Sequence, residues 1–472
     1  VNPLPGGILV NDVHSGLNAT RVAGVEQPGS LEEIMRLVRD AARLGTPLAL
    51  CGARHSMGGQ QFGAGALLVD LSRHAQIQEL DLECGLVKAD AGIRWPELIA
   101  GLHARQRGNA AVWSIRQKQT GADRMSLGGA LSSNIHGRGL CMAPIISDVE
   151  SFTLVDDCGN TRVCSRSENA ELFPLAIGGY GVFGVIADVT LRLVPRRKVE
   201  RRVEIIGAEE LMAAFGERIA DGYEYGDFQF STDENSPNFL RRGVFSCYRP
   251  IDDDRPAPEQ QISLETAAWE RLGYLAHADR RKAYEEYTNY YLTTDQQVYW
   301  SDTHQMSIYA DGYHAALDRN FGVPGSEMIS ELYVPRAALD SFLSAAAQTL
   351  RDLEAIVIYG TVRLIERDEE SFLAWAKEPF ACVIFNIHID HSPGAYDAAV
   401  FTFLALIDLA ISFGGSFYLT YHRWASRAQV DACYPRFAQF LALQRQYDPS
   451  GRWQSDWVRH YRKMYSMPPS GL

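Results

Sequence analysis

A chain of 472 residues, 46% apolar and 22% charged, exceeds what one hydrophobic core organises and has the composition of an ordinary water-soluble protein, so two or three folded units are expected. The formal net charge of −13 offers no positive field for a phosphate backbone, which argues against nucleic-acid partners. Eight cysteines stand singly, without paired ligand spacing, and read as thiols of a reducing compartment. The most apolar stretch, residues 400–419, is interrupted by Asp408, Gly414 and Gly415, so no stable membrane insertion is expected. The start lacks a basic and then apolar leader, which suggests the cytoplasm, although a chain opening on Val1 leaves room for a removed leader.

Residues 1–20 are polar and turn-rich. Ser30-Leu31-Glu32-Glu33 then offers a capping box before apolar positions Leu31, Ile34, Leu37, Val38 and Ala41, predicting an amphipathic helix that ends at Gly45. Short apolar runs predict strands at 47–50, 66–71, 86–91, 149–155 and 185–193, with a helix starting near Pro96. The basic, proline-containing run Pro195-Arg196-Arg197-Lys198 marks a boundary between a first unit, 1–198, and a second, 199–414. The second is rich in Tyr and Trp between Tyr223 and Tyr313, carries the charge run Asp252-Asp253-Asp254-Arg255, and suits the walls of a substrate pocket or plain core packing. Residues 415–472 again read as strand then helix.

Three segments of the first unit are poor in side-chain volume. Gly52-Ala53-Arg54-His55-Ser56, continuing to Gly59, follows a predicted strand, where small residues let backbone N–H groups converge on an anion. Its spacing matches neither a dinucleotide fingerprint nor a phosphate loop with Lys. Gly128, Gly129, Ser132, Ser133, Asn134 and Gly137 lie in a stretch that lets a flat ligand rest on the backbone, or that simply crowds a junction; Gly178 to Ile186 repeats the theme before a strand.

With Ser167-Glu168-Asn169-Ala170-Glu171-Leu172-Phe173, these segments resemble the FAD-binding domain of the p-cresol methylhydroxylase and vanillyl-alcohol oxidase type over residues 20–195. The resemblance implies an α+β fold, a two-subdomain FAD-binding domain followed by an α+β substrate-binding domain with an antiparallel sheet. It also implies pyrophosphate near 52–56 and 128–137 and adenine near Gly184, Val185 and Ile186. His55 stands where many relatives bond an imidazole to the flavin C8 methyl group, so covalent FAD is expected; Ala122, where doubly tethered relatives have cysteine, implies one tether only.

The later chain is similar to alditol and aldonolactone oxidases around Val362-Arg363-Leu364, with Thr361 in place of their glutamate. It is similar to decaprenylphosphoryl-ribose oxidases at Asp311 to Asn320, at Glu331-Leu332-Tyr333-Val334-Pro335, and in the last segment, residues 414–421, 434–436, 447–449 and 454–456. Both carry a lysine at the position of Tyr421, and a phenol supplies no fixed charge; the neighbours His422 and Arg423 are candidates to restore it. These resemblances imply oxidation of a CH–OH group in a sugar, polyol or related alcohol, with dioxygen or another oxidant as electron acceptor. Ile135, larger than the glycine of efficient oxidases beside the His136-Gly137 turn, tilts this toward a dehydrogenase. Candidate catalytic residues are Tyr421, His422, Arg363, His388, Asn386 and His136, expected to meet in one pocket, with Asn386 and His388 on one strand face. Alternatives are a flavin reductase of a sterol-like or activated double bond, and a redox carrier without a substrate of its own. His388-Ile389-Asp390-His391 suggests a metal but lacks a third and fourth ligand nearby, so no metal is expected.

Overall fold

Ser30 does cap the first helix, α1 (Leu31–Leu44), its hydroxyl accepting from Glu33 N, and Gly45 closes it at φ 67°. Glu33 turns back to the Gly29 N–H at 2.7 Å, one residue before the position a reciprocal capping box requires. Ile34 and Val38 are fully buried, each worth roughly 1.5–3 kcal/mol of hydrophobic stabilisation. The computed structural model describes residues 6–109, 111–252, 255, 261–307 and 313–466. The first five residues of the polar opening, Asp253 and Asp254 of the charge run, and the first two of the Asp311 to Asn320 segment lie outside the described residues.

α1 packs on a parallel sheet of β1 (Gly24–Glu26), β2 (Leu48–Cys51) and β3 (Leu67–Asp70), ordered β1-β3-β2. A second, antiparallel sheet contains β4 (Ile77–Asp81), β5 (Leu86–Asp90), β6 (Val149–Val155), β7 (Thr161–Ser165) and β8 (Val185–Arg192), ordered β7-β6-β8-β5-β4. Helices α2 (Trp95–Arg105) and α3 (Leu127–Ser133) bury their apolar residues in the core around this sheet. The predicted strands and the helix near Pro96 are therefore present, and the two sheets form the two subdomains of the first unit.

An eight-stranded antiparallel sheet begins at Lys198. Its strands are β9 (Lys198–Gly207), β10 (Tyr225–Phe230), β11 (Arg242–Ile251), β12 (Val298–Trp300), β13 (Gly325–Pro335), β14 (Ile356–Ile365), β15 (Phe380–Asp390) and β16 (Ser416–Phe417). They run β12-β9-β11-β10-β14-β15-β13-β16. Because directly paired residues share a face, the register sorts this sheet into two. One face carries Phe228, Phe245, Val362, Val383 and Leu332, covered by α4 (Leu211–Ala220), α8 (Leu339–Asp352) and α9 (Pro393–Ser412). The other carries Arg201 with Tyr248, Asp227 with Ser246, Tyr359 with Asn386, Arg363 with Cys382, Glu327 with His388, and Glu331. Helices α5 (Thr266–Ala278), α6 (Arg280–Thr293) and α7 (Tyr313–Phe321) lie in the β11–β13 connections.

α9 is long and apolar enough by length and composition to cross a membrane. Its Ala399, Phe403, Leu406, Ile407 and Ala410 are nevertheless buried, and the helix lies on α8, β13 and β15, which is the arrangement of a core-covering helix. After β16 come α10 (Arg427–Cys433), α11 (Phe437–Tyr447) and α12 (Asp456–Met464), three helices where one was expected. This stretch reaches the first unit: Trp453 bridges to Leu48, Asp456 accepts from Thr20 Oγ1 at 3.0 Å and from Ala64 N at 3.1 Å, and Arg452 Nη1 donates to Ala41 O at 2.9 Å.

Candidate functional site

A cleft runs between the parallel sheet and the antiparallel one. Its wall contains Gly52, Ala53, Arg54, His55 and Ser56 from the loop after β2, Gly128, Gly129, Ser132 and Ser133 from α3, and Gly184 and Ile186 at the start of β8. All were predicted. Tyr180 and Gly181, from the Gly178 to Ile186 segment, also line it; Gln60, Gln61, Met125 and Ser126 do too and were not foreseen, because a glutamine or methionine near a glycine run has no signature of its own. Four other predicted residues sit behind the wall. Gly59 lies against the Arg423 guanidinium and Gly137 against the Lys118 carbonyl; Val185 is buried beneath α1; Asn134 caps α3 and bonds Asp368 at 2.8 Å.

The cleft is walled by main chain because side chains do not fit. A Cβ at Gly52 would meet Ser126 Oγ at 2.0 Å, and one at Gly184 would meet the Val155 carbonyl at 2.5 Å. Arg54 holds φ 60°, a conformation that L side chains rarely adopt, with its guanidinium donating to Asp70 at 2.9 Å. Gln61 Oε1 is buried in the lining without a hydrogen-bond partner, and an elongated group with N–H or O–H donors suits that orphaned acceptor. Gln60 Nε2 donates to the Thr420 carbonyl at 2.7 Å, which fastens the loop to the returning C-terminal segment. At the end of the loop, burial, then the neighbouring His14, then Arg94 and Arg124 push the His55 imidazole down to about 4, so it is neutral at pH 7.

The polar face of the large sheet meets the first unit at Glu331. This carboxylate, 3% exposed, takes His136 Nε2 at 2.8 Å and the Tyr333 hydroxyl on the same oxygen. Burial by itself would raise its pKa; His136, both hydrogen bonds and Arg363 outweigh it and hold it below the ordinary carboxylate range. Cys382 Sγ stands 3.8 Å from His136 Nε2. Tyr421 faces the same group: burial and then the Glu331 charge push its phenol well above 10, while Arg363 pulls the other way. The cation beside Tyr421 is therefore Arg363 of β14, because the chain neighbours turn elsewhere. His422 packs against Phe403, Phe417 and Trp424, where burial pushes it down to about 3, and Arg423 goes to Gly59.

Two cavities open on this face. The larger, about 610 Å³, is lined by Trp269, Tyr284, Tyr287, Phe230, Leu272, Tyr359 and Ile358, with His14, His314, Glu327 and Asn386 as polar points. The smaller, about 420 Å³, holds Arg138, Arg201 and Arg363 among Tyr248, Tyr290, Tyr291 and Tyr299, and shares Gly121, Gln229, Trp269, Tyr287 and Tyr359 with the first. The structure thus brings Arg363 and Asn386 to adjoining cavities, and gathers His136, Tyr421 and Arg363 around Glu331. His388 lies at the Glu327 end of the sheet, 3.1 Å from that carboxylate. Glu331, which no expectation named as a site residue, stands in the quoted segment Glu331 to Pro335, but only the fold reveals His136 opposite it.

Residues 22–165 match a family of FAD-binding domains. The chain is also 30% identical over 178 residues to an uncharacterised oxidoreductase of the fasciation locus of Rhodococcoides fascians, covering 38% of this chain and 39% of that one. It is 28% identical over 209 residues, 44% of this chain and 34% of the other, to mitochondrial L-galactono-1,4-lactone dehydrogenase of Brassica oleracea. With cytokinin dehydrogenase 10 of Oryza sativa subsp. japonica it shares 31% identity over 238 residues, 43% of this chain and 42% of that one. The matches span only about a third to two fifths of these relatives' own length. Matched segment, cleft and two-subdomain architecture agree: residues 22–165 belong to an FAD-binding domain, and the fold around them fits the p-cresol methylhydroxylase type.

Proposed function

We propose that this protein is an FAD-dependent oxidoreductase that removes hydride from a hydroxyl-bearing carbon of a sugar, polyol, lactone or related alcohol, with its FAD bonded to His55. Residues 1–198 bind the flavin, 199–414 the donor, and 415–472 return to the flavin unit. The observation that carries this reading is adjacency: His55, at one end of the cleft, neighbours His14, a wall residue of the 610 Å³ cavity. A redox carrier without a substrate needs no such cavities.

Bound FAD supplies a two-electron acceptor at N5 and a C8 methyl carbon. Neutral His55 keeps a nitrogen lone pair available for bonding to that carbon. The aromatic walls exclude water and hold the donor, and Asn386 Oδ1, buried without a partner, accepts from a donor hydroxyl. Tyr421, a phenol whose pKa is raised, stays protonated and donates. Tyr333 or His136 hands its own proton to ionised Glu331 while taking the donor's hydroxyl proton in its place. Arg363 offsets developing alkoxide charge. Ile135, 3% exposed beside the His136 turn, restricts dioxygen, so an organic acceptor serves better.

Anaerobic titration with aldonolactones, polyols and sugars checks the reaction: bleaching of the flavin band by at least one of them is expected, and bleaching by none sinks the reading. Acid precipitation checks the tether, which is wrong if all the yellow colour stays in the supernatant. Stopped-flow reoxidation in air is expected to be slow, and fast peroxide release contradicts the role given to Ile135.

A further inference from the structure

We propose that Glu327, His277 and His388, with His314 beside the second oxygen of Glu327, form a binding site for one divalent transition-metal ion of the zinc type in the wall of the larger cavity. The ion keeps one position open toward the cavity for an oxygen of the donor. The metal site stands on geometry alone, whereas the donor-oxygen role rests on the proposed function.

The four residues come from α5, α7, β13 and β15, and Glu327 with His388 is a direct register pair. Glu327 is 2% exposed. Its Oε1 lies 2.9 Å from His277 Nε2 and 3.1 Å from His388 Nδ1, and its Oε2 lies 2.8 Å from His314 Nδ1. The ligand atoms of His277, Glu327 and His388 all fall within 4.8 Å of one another.

The orientation of the rings suits a cation among them. His277 Nδ1 stands 2.8 Å from the Gly273 carbonyl, which only accepts, so the ring proton sits on Nδ1. Nε2 then faces Glu327 Oε1, where a divalent ion would take both as ligands. His388 faces the same carboxylate, with Nδ1 against Glu327 and Nε2 3.2 Å from Asp390. The His277 and His388 rings stand with centroids 4.9 Å apart, close enough for one divalent ion to be held by both. Glu327 Oε2 is buried and accepts no hydrogen bond, although His314 Nδ1 is so near. Nitrogen held by a backbone carbonyl on the far side of the ring is the usual orientation of a metal-bound histidine. Gly325 leaves room for it: a Cβ there would meet His388 Cε1 at 2.4 Å. Imidazoles with one carboxylate are a zinc-type donor set rather than a calcium or magnesium one. His314, Glu327 and Asn386 line the cavity itself, so an open coordination position there reaches the donor.

The test uses the full-length holoprotein, stripped with a chelator and reloaded with Zn²⁺ or Co²⁺, then desalted. About one zinc per chain by mass spectrometry and a cobalt ligand-field band are expected. In His277→Ala and His388→Ala, metal should fall to under about a tenth of an equivalent with flavin per chain unchanged. Should either fail to fold, the near-isosteric Glu327→Gln replaces it, and a rise in the melting temperature of stripped wild-type protein on adding Zn²⁺ is the second measurement. No retained zinc and no such rise overturn the site, leaving protonated imidazoles there; equal zinc in wild type and variants overturns it as well. Failure of the function is separable: if zinc binds but no alcohol bleaches the flavin, the metal site stands without its donor. An unchanged KM between stripped and zinc-loaded protein overturns the open-position role.

Discussion

Along the flavin cleft much of the wall is main chain and small side chains from short segments, chiefly residues 50–61, 125–133 and 180–186, whereas the facing cavities are walled largely by Tyr, Trp, Arg and His drawn from residues 14–363. A wall of backbone has no slack, because each missing Cβ is space the ligand or a neighbouring segment already uses. A wall of long side chains can rearrange, so a substitution there alters rate and affinity before it alters occupancy. On the proposed function, the difference separates binding of a constant cofactor from recognition of a variable donor.

The comparison breaks most sharply at Gly52. With its Cβ set 2.0 Å from Ser126 Oγ, Gly52→Ala should lower bound flavin more than about tenfold, since overpacking a tight site typically costs ~1–3 kcal/mol. Gly216→Ala, with open space around it, is the control that should keep full flavin. Normal absorbance at 450 nm in the Gly52 variant would show that the cleft wall is not tight.

At the buried carboxylate beside His136, Glu331→Gln should keep the flavin spectrum and slow its reduction by ~10²–10⁴-fold, the usual worth of a positioned proton acceptor. Single-turnover reduction measures this, and a rate within threefold of wild type would remove Glu331 from the chemistry. His422→Phe tests whether that residue belongs to the core alone. Its folded pKa of about 3 lies below the ordinary value of 6.5, so the unfolded chain binds the extra proton first. Stability from the neutral ring is therefore full above pH 6.5 and declines as pH falls from 6.5 toward 3. The phenylalanine variant should lose that acid limb, gaining on the order of 2 kcal/mol over wild type at pH 4.5 in urea titrations. A parallel acid limb in both proteins would contradict burial of a neutral imidazole. The smallest effect is expected for Tyr421→Phe, which removes one hydroxyl and keeps the ring. A slowing of about tenfold matches one lost hydrogen bond of ~1.4 kcal/mol, and a loss as large as that of Glu331→Gln would make the phenol the proton acceptor.

Local chemistry decided what could be read early. The Ser30 cap, the Gly45 stop, the short strands and the glycine-rich loops depend on neighbours a few residues apart, and the FAD-binding domain follows from such segments in order. His55 was legible for the same reason, lying within its own loop. Even there, Glu33 bonding Gly29 rather than Ser30 was beyond a pattern, because both backbone N–H groups lie within reach of one carboxylate.

The remaining contacts arise where strands far apart in sequence come into register. Pairing of β13 with β15 sets Glu327 beside His388, and the approach of the sheet to α3 and the turn after it sets Glu331 against His136, 195 residues away. His388 and His391, three apart in sequence, suggested a metal but offered no further ligand nearby, so none was expected; in the fold His391 goes to Ser326 at 2.7 Å, and Glu327, His277 and His314 arrive from three other elements. Tyr421 and His422 diverge although they are consecutive, one facing Glu331 and the other entering an aromatic core. By itself the sequence determined the cofactor cleft, since backbone without side chains leaves its mark in composition. The charges opposite it depend on strand register and on which neighbour each buried polar group needs, and those are settled only when the chain has closed.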